Sequence, residues 1–207
     1  MDELDAQTLF RELTVLKQEV ARLRDEADIR QLQYRYGYYD EYFQWDRLID
    51  LFADGDCSVE IGARGKYTGK ERVARFYREI IGRNRTQLAK NQVYNHLQLQ
   101  MVITVEPDGR HAKARSRALI QGSGGQGASD LGTAMIWAEG VYENSFVKQD
   151  GVWKIQHMYW SPTFYATVTG IESIKFSGVP ASETFPPDEA ARPPDPVVGR
   201  TLVSYHY

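Results

Sequence analysis

The chain has 207 residues, with 25 Lys and Arg against 28 Asp and Glu, a net charge of −3. That length suits one domain with a real core plus extensions rather than two domains, and the mild acidity, without a basic stripe, argues against nucleic acid as a partner. The lone Cys57 excludes an intrachain disulfide and a cysteine-based zinc site, the start DELDAQTLF lacks the regions of a signal peptide, and no apolar run approaches the roughly 18 residues that cross a bilayer, so a cytoplasmic protein with no membrane partner is expected.

From the N-terminus, Leu9, Leu13, Leu16, Val20, Leu23 and Ala27 recur at alternating steps of four and three, giving about three heptads. Residues 1–28 are expected as an amphipathic helix that makes an oligomer contact, because three heptads barely sustain a coiled coil without support from a globular part. The run YRYGYYDEYFQWDRLIDLF follows at 34–52. Helical spacing aligns Tyr34, Tyr38, Glu41, Tyr42 and Trp45 on one stripe. Leu or Val would fill a structural face without polar atoms to satisfy, whereas a buried phenol or carboxylate lacking a partner costs a few kcal/mol. The stripe therefore reads as a pocket wall, with an aromatic core helix as the alternative.

The turn at 53–56 leads into the alternating strand CSVEIGA, and Val73, Phe76, Tyr77 and Ile80 predict a helix over 70–81. Four β segments follow, VYNHLQLQMVITVE, HAKARSRALIQGS, MIWAEGVYENSFVKQ and GVWKIQHMYWSPTF, the outer pairs joined by short turns at Pro107-Asp108-Gly109 and Asp150-Gly151. Helices first and a long antiparallel sheet afterwards is an α+β order. The insert GSGGQGASDLG lacks the ending and the strand-to-helix setting of a phosphate loop and reads as a mobile loop, with a lid over the pocket as the sharper alternative. Six of the eight prolines lie beyond residue 179, so 171–207 is expected as a proline-rich extension that wraps the domain or a neighbouring subunit.

WDRLIDLFADGD, SVEIG, GKYTGKERVARFY and DGVWKI, in that order, give the stretch from 29 to 165 its resemblance to the SnoaL-like branch of the nuclear transport factor 2 superfamily. The resemblance implies that residues 29–170 form a cone-shaped α+β barrel, a curved antiparallel sheet wrapped by N-terminal helices around a deep pocket. Members include scytalone dehydratase, ketosteroid isomerase, polyketide cyclases and lyases acting on lignin-derived aromatic dimers, alongside non-catalytic binding proteins. It sets Glu41, with Asp40 beside it, where dehydratase-like members carry a helix acid that helps hold a catalytic water or histidine. It sets His96 at their strand histidine, and Ser116 where their second histidine would stand. Tyr36, with Tyr38 and Tyr39 as rivals, matches the oxyanion-hole phenol of isomerase-like members, and Glu60 lies within one position of their general base.

Read from the residues themselves, His96 is an imidazole able to serve as acid or base near neutrality, against the alternative of a strand histidine satisfied by backbone carbonyls. Arg64, Arg115 and Arg117 alternate with small residues as outward charges; one turned inward would anchor a phenolate or carboxylate. His157 and Tyr159 share one strand face, Met158 and Trp160 the other. No HxH or HExxH spacing supports a metal, and no GxSxG elbow supports a serine nucleophile. The expectation is a cofactor-free, homo-oligomeric lyase for a small hydroxylated aromatic, with His96, Glu41, Asp40, Tyr36, Tyr38 and Tyr39 as catalytic candidates. Tyr34, Tyr42, Trp45, Glu60, Arg117, Trp137, His157 and Tyr159 are the candidate substrate contacts. The resemblance extends in its sharpest form to dehydration of a diarylpropane diol with release of formaldehyde. A polyketide cyclase or steroid-type isomerase, and a binding protein without catalysis, are the alternatives.

Overall fold

The computed structural model describes residues 3–89, 92–123, 135–168, 174–176 and 180–191. Helix α1, Glu3–Glu41, runs unbroken, so the boundary expected after residue 28 falls inside a helix. Its first part stands clear of the domain, with Leu9, Leu13, Leu16, Val20 and Leu23 exposed. From Ile29 onward it packs down through Ile29, Leu32, Gln33, Tyr36 and Asp40, all buried. Steps of three and four put these residues on one helical face. That face, and not the stripe of Tyr34, Tyr38 and Tyr42, meets the sheet. The chain then turns at Phe43, φ 57°, into α2, Trp45–Asp50.

Strand β1, Ser58–Ile61, and β2, Lys66–Thr68, are joined through a 3-10 turn, Gly62–Arg64. The helix expected at 70–81 is present as α3, Lys70–Arg75, continuing in a wider π-helical winding over Phe76–Ile81. The four long β segments appear as β3, Tyr94–Val105; β4, His111–Ser123; β5, Met135–Gln149; and β6, Val152–Val168. A short β7, Ile174–Phe176, pairs with β6.

The sheet order is β2-β1-β6-β5-β4-β3. Neighbours are antiparallel, as expected for the long strands, except β1 and β6, which run parallel. Register shifts within β3 between Leu99 and Val102, and twice between β5 and β6, bend the sheet into the unclosed, curved α+β cone. Two glycines let neighbouring elements approach closely. A Cβ on Gly37 of α1 would sit 2.9 Å from the His96 carbonyl oxygen, and one on Gly140 would sit 2.5 Å from that of Ser161.

Part of the proline-rich extension lies against the domain. Phe185 is buried, stacks on Tyr67 with ring centroids 5.2 Å apart, and lies under the guanidinium of Arg75. Asp188 accepts from Arg72 at 2.7 Å and from the Thr68 amide at 2.8 Å. The glycine-rich insert from 124 and the chain beyond 191 lie outside the described residues. Among the described residues, no helix is long and apolar enough to cross a membrane.

Candidate active site

Two elements build the centre of the site. Tyr36 and Asp40, one turn apart on α1, both face the concave side of the sheet, and alternation along β3 sends Tyr94 and His96 to meet them. The His96 Nδ1 lies 2.6 Å from Asp40 Oδ2, and the Tyr94 hydroxyl donates to the same oxygen at 2.9 Å. A carboxylate only accepts, so the imidazole carries its proton on Nδ1 and presents a lone pair at Nε2. The Tyr142 hydroxyl from β5 lies 3.0 Å from that nitrogen and donates to it. Tyr36 lies 3.1 Å from Tyr142, hydroxyl to hydroxyl, and Tyr77 donates to Tyr36 at 3.3 Å. The hydrogen bonds thus run in one direction, from Tyr77 through Tyr36, Tyr142 and His96 to Asp40.

Burial holds Tyr36, Tyr77, Tyr94 and Tyr142 well above the ordinary phenol range, with the negative field of Asp40 adding to each. All four are therefore neutral donors at physiological pH. Burial likewise pushes the Cys57 thiol up to about 11, so it is no nucleophile at neutrality.

The network lines an inner cavity of about 60 Å³, walled also by Arg64, Phe76, Ile120 and Trp160. This cavity adjoins a mouth of about 170 Å³ and shares Arg64, Ile81, Tyr94, Ile136 and Tyr165 with it. Two buried polar atoms of the inner cavity's residues, Asp40 Oδ1 and Trp160 Nε1, have no hydrogen-bond partner among the described residues. One could accept from a substrate and the other donate to it. A separate hollow of about 540 Å³ is a surface depression beside α2 that contains none of the network. No group of three or more His, Cys, Asp or Glu among the described residues is placed to hold a metal ion.

The SnoaL-like domain family matches residues 21–159 of this chain. The chain belongs to the SnoaL-like family. Solved structures agree with that assignment at the level of fold. A type 2 LinA hexachlorocyclohexane dehydrochlorinase is 20% identical with a TM-score of 0.61, the match covering 74% of this chain and 95% of that one. The type 3 LinA of Novosphingobium barchaimii LL02 is 18% identical, TM-score 0.60, covering 74% and 96%. A scytalone dehydratase candidate from Novosphingobium aromaticivorans DSM 12444 is 19% identical, TM-score 0.56, covering 84% and 99%. A comparison with curated proteins returns no match.

Within this SnoaL-like domain, His96, Asp40 and Tyr36 meet as a unit. Glu41 does not join them. It approaches β3 from outside and accepts the His96 backbone N–H at 2.6 Å, so Asp40 is the inward acid and Glu41 fixes the strand. Tyr39 packs against the core away from the cavity, while Tyr38 is 62% exposed and Tyr34 and Tyr42 also face outward. Trp45 is buried beneath the surface depression, stacked on Tyr77 and donating to the Arg85 carbonyl at 2.6 Å.

The remaining expected contacts lie on the other face of the sheet. Arg117 pairs outward with Glu139 at 2.8 Å, and Trp137 is 42% exposed beside Phe164. Glu60 and Tyr159 are buried cross-strand partners, and His157 meets Ser58 at 3.0 Å. Met158 and Trp160 occupy the concave face instead, because an apolar interior takes the more apolar pair of an alternating strand. Sequence reasoning missed Tyr77, Tyr94, Tyr142 and Trp160 as site residues. Tyr94 carried a usable signal, since it stands two residues before His96 and so shares its face.

Proposed function

We propose that this protein is a cofactor-independent lyase that eliminates water from a hydroxylated aromatic small molecule. The observation that carries the reading is the directed chain that passes through His96 to Asp40 and makes Nε2 a base whose conjugate acid is stabilised by the buried Asp40 at 2.6 Å. His96 removes a proton from the carbon beside a benzylic carbinol as the C–O bond breaks. Tyr142 gives its proton to the departing hydroxyl and regains one from the imidazolium 3.0 Å away. The substrate loses one water, and the enzyme ends as it began. Where the neighbouring carbon bears a hydroxymethyl group, the same base takes the O–H proton instead. The C–C bond then breaks, and formaldehyde leaves together with water. A diarylpropane diol derived from lignin fits that requirement.

The inner cavity, about 60 Å³, is small beside the ~300–1,000 Å³ of pockets that enclose drug-sized ligands. The reacting carbons therefore enter it while an aromatic ring occupies the mouth. The test is to incubate wild type, His96→Ala and Tyr142→Phe with a panel of phenolic benzylic diols and diarylpropanes, following ultraviolet absorbance for new conjugation and assaying formaldehyde. Wild-type turnover that falls at least about 100-fold in His96→Ala supports the proposal. Absence of turnover across the panel, or equal turnover in His96→Ala, overturns it.

A further inference from the structure

Among the described residues, the mouth of the cavity carries positive charge. Arg64, Arg83 and Arg85 line it, and no Asp or Glu is among its described lining residues. Arg64 stands on the turn Gly62–Arg64, walls both chambers and makes no hydrogen bond or ion pair with any described residue. Arg85 lies over the Phe43 ring at 5.0 Å and donates through Nη1 to Gln92 at 2.9 Å, leaving its buried Nε without a partner. Burial, and then the nearby Arg83, lower the affinity of Arg85 for its proton. The guanidiniums of Arg64 and Arg85 face a partly apolar mouth, and the fork of donors on each matches two oxygens of one anionic group.

We infer that the mouth is an anion subsite, so that the substrate binds with a carboxylate or phenolate against Arg64 and Arg85 and its reacting carbons toward His96. This rests on the proposed site but not on its chemistry, so binding tests it separately from turnover. Titration calorimetry with wild type would compare 3-phenylpropionate, 4-nitrophenol above and below its ionisation, and neutral 3-phenylpropan-1-ol. At least one anion should bind about ten-fold or more tighter than the alcohol. The carboxylate arm and the phenolate arm tell which anion is preferred. Arg64→Gln should abolish that preference, Arg64→Lys should keep part of it, and affinity for the alcohol should stay within about two-fold. Wild type without a preference for either anion, or a preference that survives Arg64→Gln together with Arg85→Gln, overturns the inference. Turnover of a neutral diol in that case would leave the lyase reading standing.

Away from the pocket, the exposed apolar face of α1 carries an inference of its own. Its heptads set Leu13, Val20 and Ala27 at a positions and Leu9, Leu16 and Leu23 at d positions, with Glu12 and Glu19 at g and Lys17 and Arg24 at the following e positions. A parallel pair sets Glu12 against Lys17 of the partner subunit and Glu19 against Arg24 of the partner subunit. An antiparallel pair would set acid against acid and base against base. The geometry points to a second copy of this chain as the occupant, in a parallel two-stranded coil over residues 9–27 that holds two cones side by side.

In a parallel coil the Leu9 positions touch, whereas in an antiparallel one they lie about 27 Å apart. Light scattering should therefore report a dimer, Leu9→Cys should crosslink quantitatively on oxidation, and Leu16→Asp with Leu23→Asp should give a folded monomer. A monomeric wild type, a dimer that survives the double substitution, or a dimer without the crosslink overturns this arrangement.

Discussion

Replacing Asp40 by Asn separates what the buried acid does for the fold from what it does for the reaction. Its Oδ2 accepts from His96 at 2.6 Å and from Tyr94 at 2.9 Å. Hydrogen bonds to a charged group contribute about 1.5–3 kcal/mol and neutral ones about 0.5–1.5 kcal/mol, so neutralising the acceptor weakens the two bonds by about 2–3 kcal/mol together. Burying the charge in the first place costs several kcal/mol, and Asn does not carry that cost. The two effects oppose each other, and the net change in stability should stay within about 2 kcal/mol. Catalysis has no such compensation. The imidazolium formed when Nε2 takes a proton loses its counter-charge, worth about 4 kcal/mol at ~4 Å and an effective dielectric near 20. That converts to about a thousand-fold loss in kcat. Thermal melting would establish that the variant folds, and turnover of the best panel substrate would give the rate. A long-range proton–nitrogen spectrum of the imidazoles would show whether wild-type His96 carries its proton on Nδ1. A folded Asp40→Asn variant that keeps its rate within about ten-fold, or a wild-type proton on Nε2, refutes the reasoning.

Alkali should unfold the protein through its phenols. Tyr36, Tyr77, Tyr94 and Tyr142 are raised in the folded state, so above about pH 10 the unfolded chain loses protons that the native one retains. Stability is therefore full below about pH 10 and falls as pH climbs toward the folded values, by up to about 1.4 kcal/mol per unit for each phenol. In a spectrophotometric titration followed beside circular dichroism, these four should ionise only with loss of structure; smooth ionisation of every tyrosine in the intact fold would contradict it. Gly37→Ala adds a methyl 2.9 Å from both the His96 carbonyl oxygen and Gln98 Cγ. Overpacking of about 1–3 kcal/mol should outweigh the ~1 kcal/mol gain in helix propensity, and a stabilised variant in urea unfolding would show that α1 and β3 are less tightly apposed. Phe185→Ala removes a buried ring held between Tyr67 and Arg75 and should cost about 3 kcal/mol in the same assay. A change under about 0.5 kcal/mol would mean that the extension is not part of the folded unit.

How much of this was legible beforehand depended on which face of each element the chain buries. Element order followed from hydrophobic period and turn chemistry, which are local, and so α1, α3 and the four long strands stood where the pattern put them. The choice between Asp40 and Glu41 was different, because neighbours on a helix point about 100° apart and either can head a regular stripe. The aromatic stripe through Tyr34, Tyr38 and Tyr42 is as regular as the buried one through Ile29, Leu32, Gln33, Tyr36 and Asp40. Strand β3, more than fifty residues away, selects between them. Gly37 marks the contact, since only a residue without a side chain lets α1 come within reach of the His96 carbonyl. With the strand in place, Tyr36 and Asp40, one position before this glycine and three after it, lie beside that contact. The β segments posed the same problem with period two. His157 and Tyr159 were chemically attractive and Met158 and Trp160 apolar, and the apolar pair took the concave interior while Tyr159 is buried on the other face. Tyr94 shares a strand face with His96, but Tyr77 and Tyr142 come from two further elements, and no spacing along the chain encodes their convergence on Tyr36, Asp40 and His96. Such a network becomes visible only when the sheet has curled, which is also why its hydroxyls look like core aromatics in a linear reading.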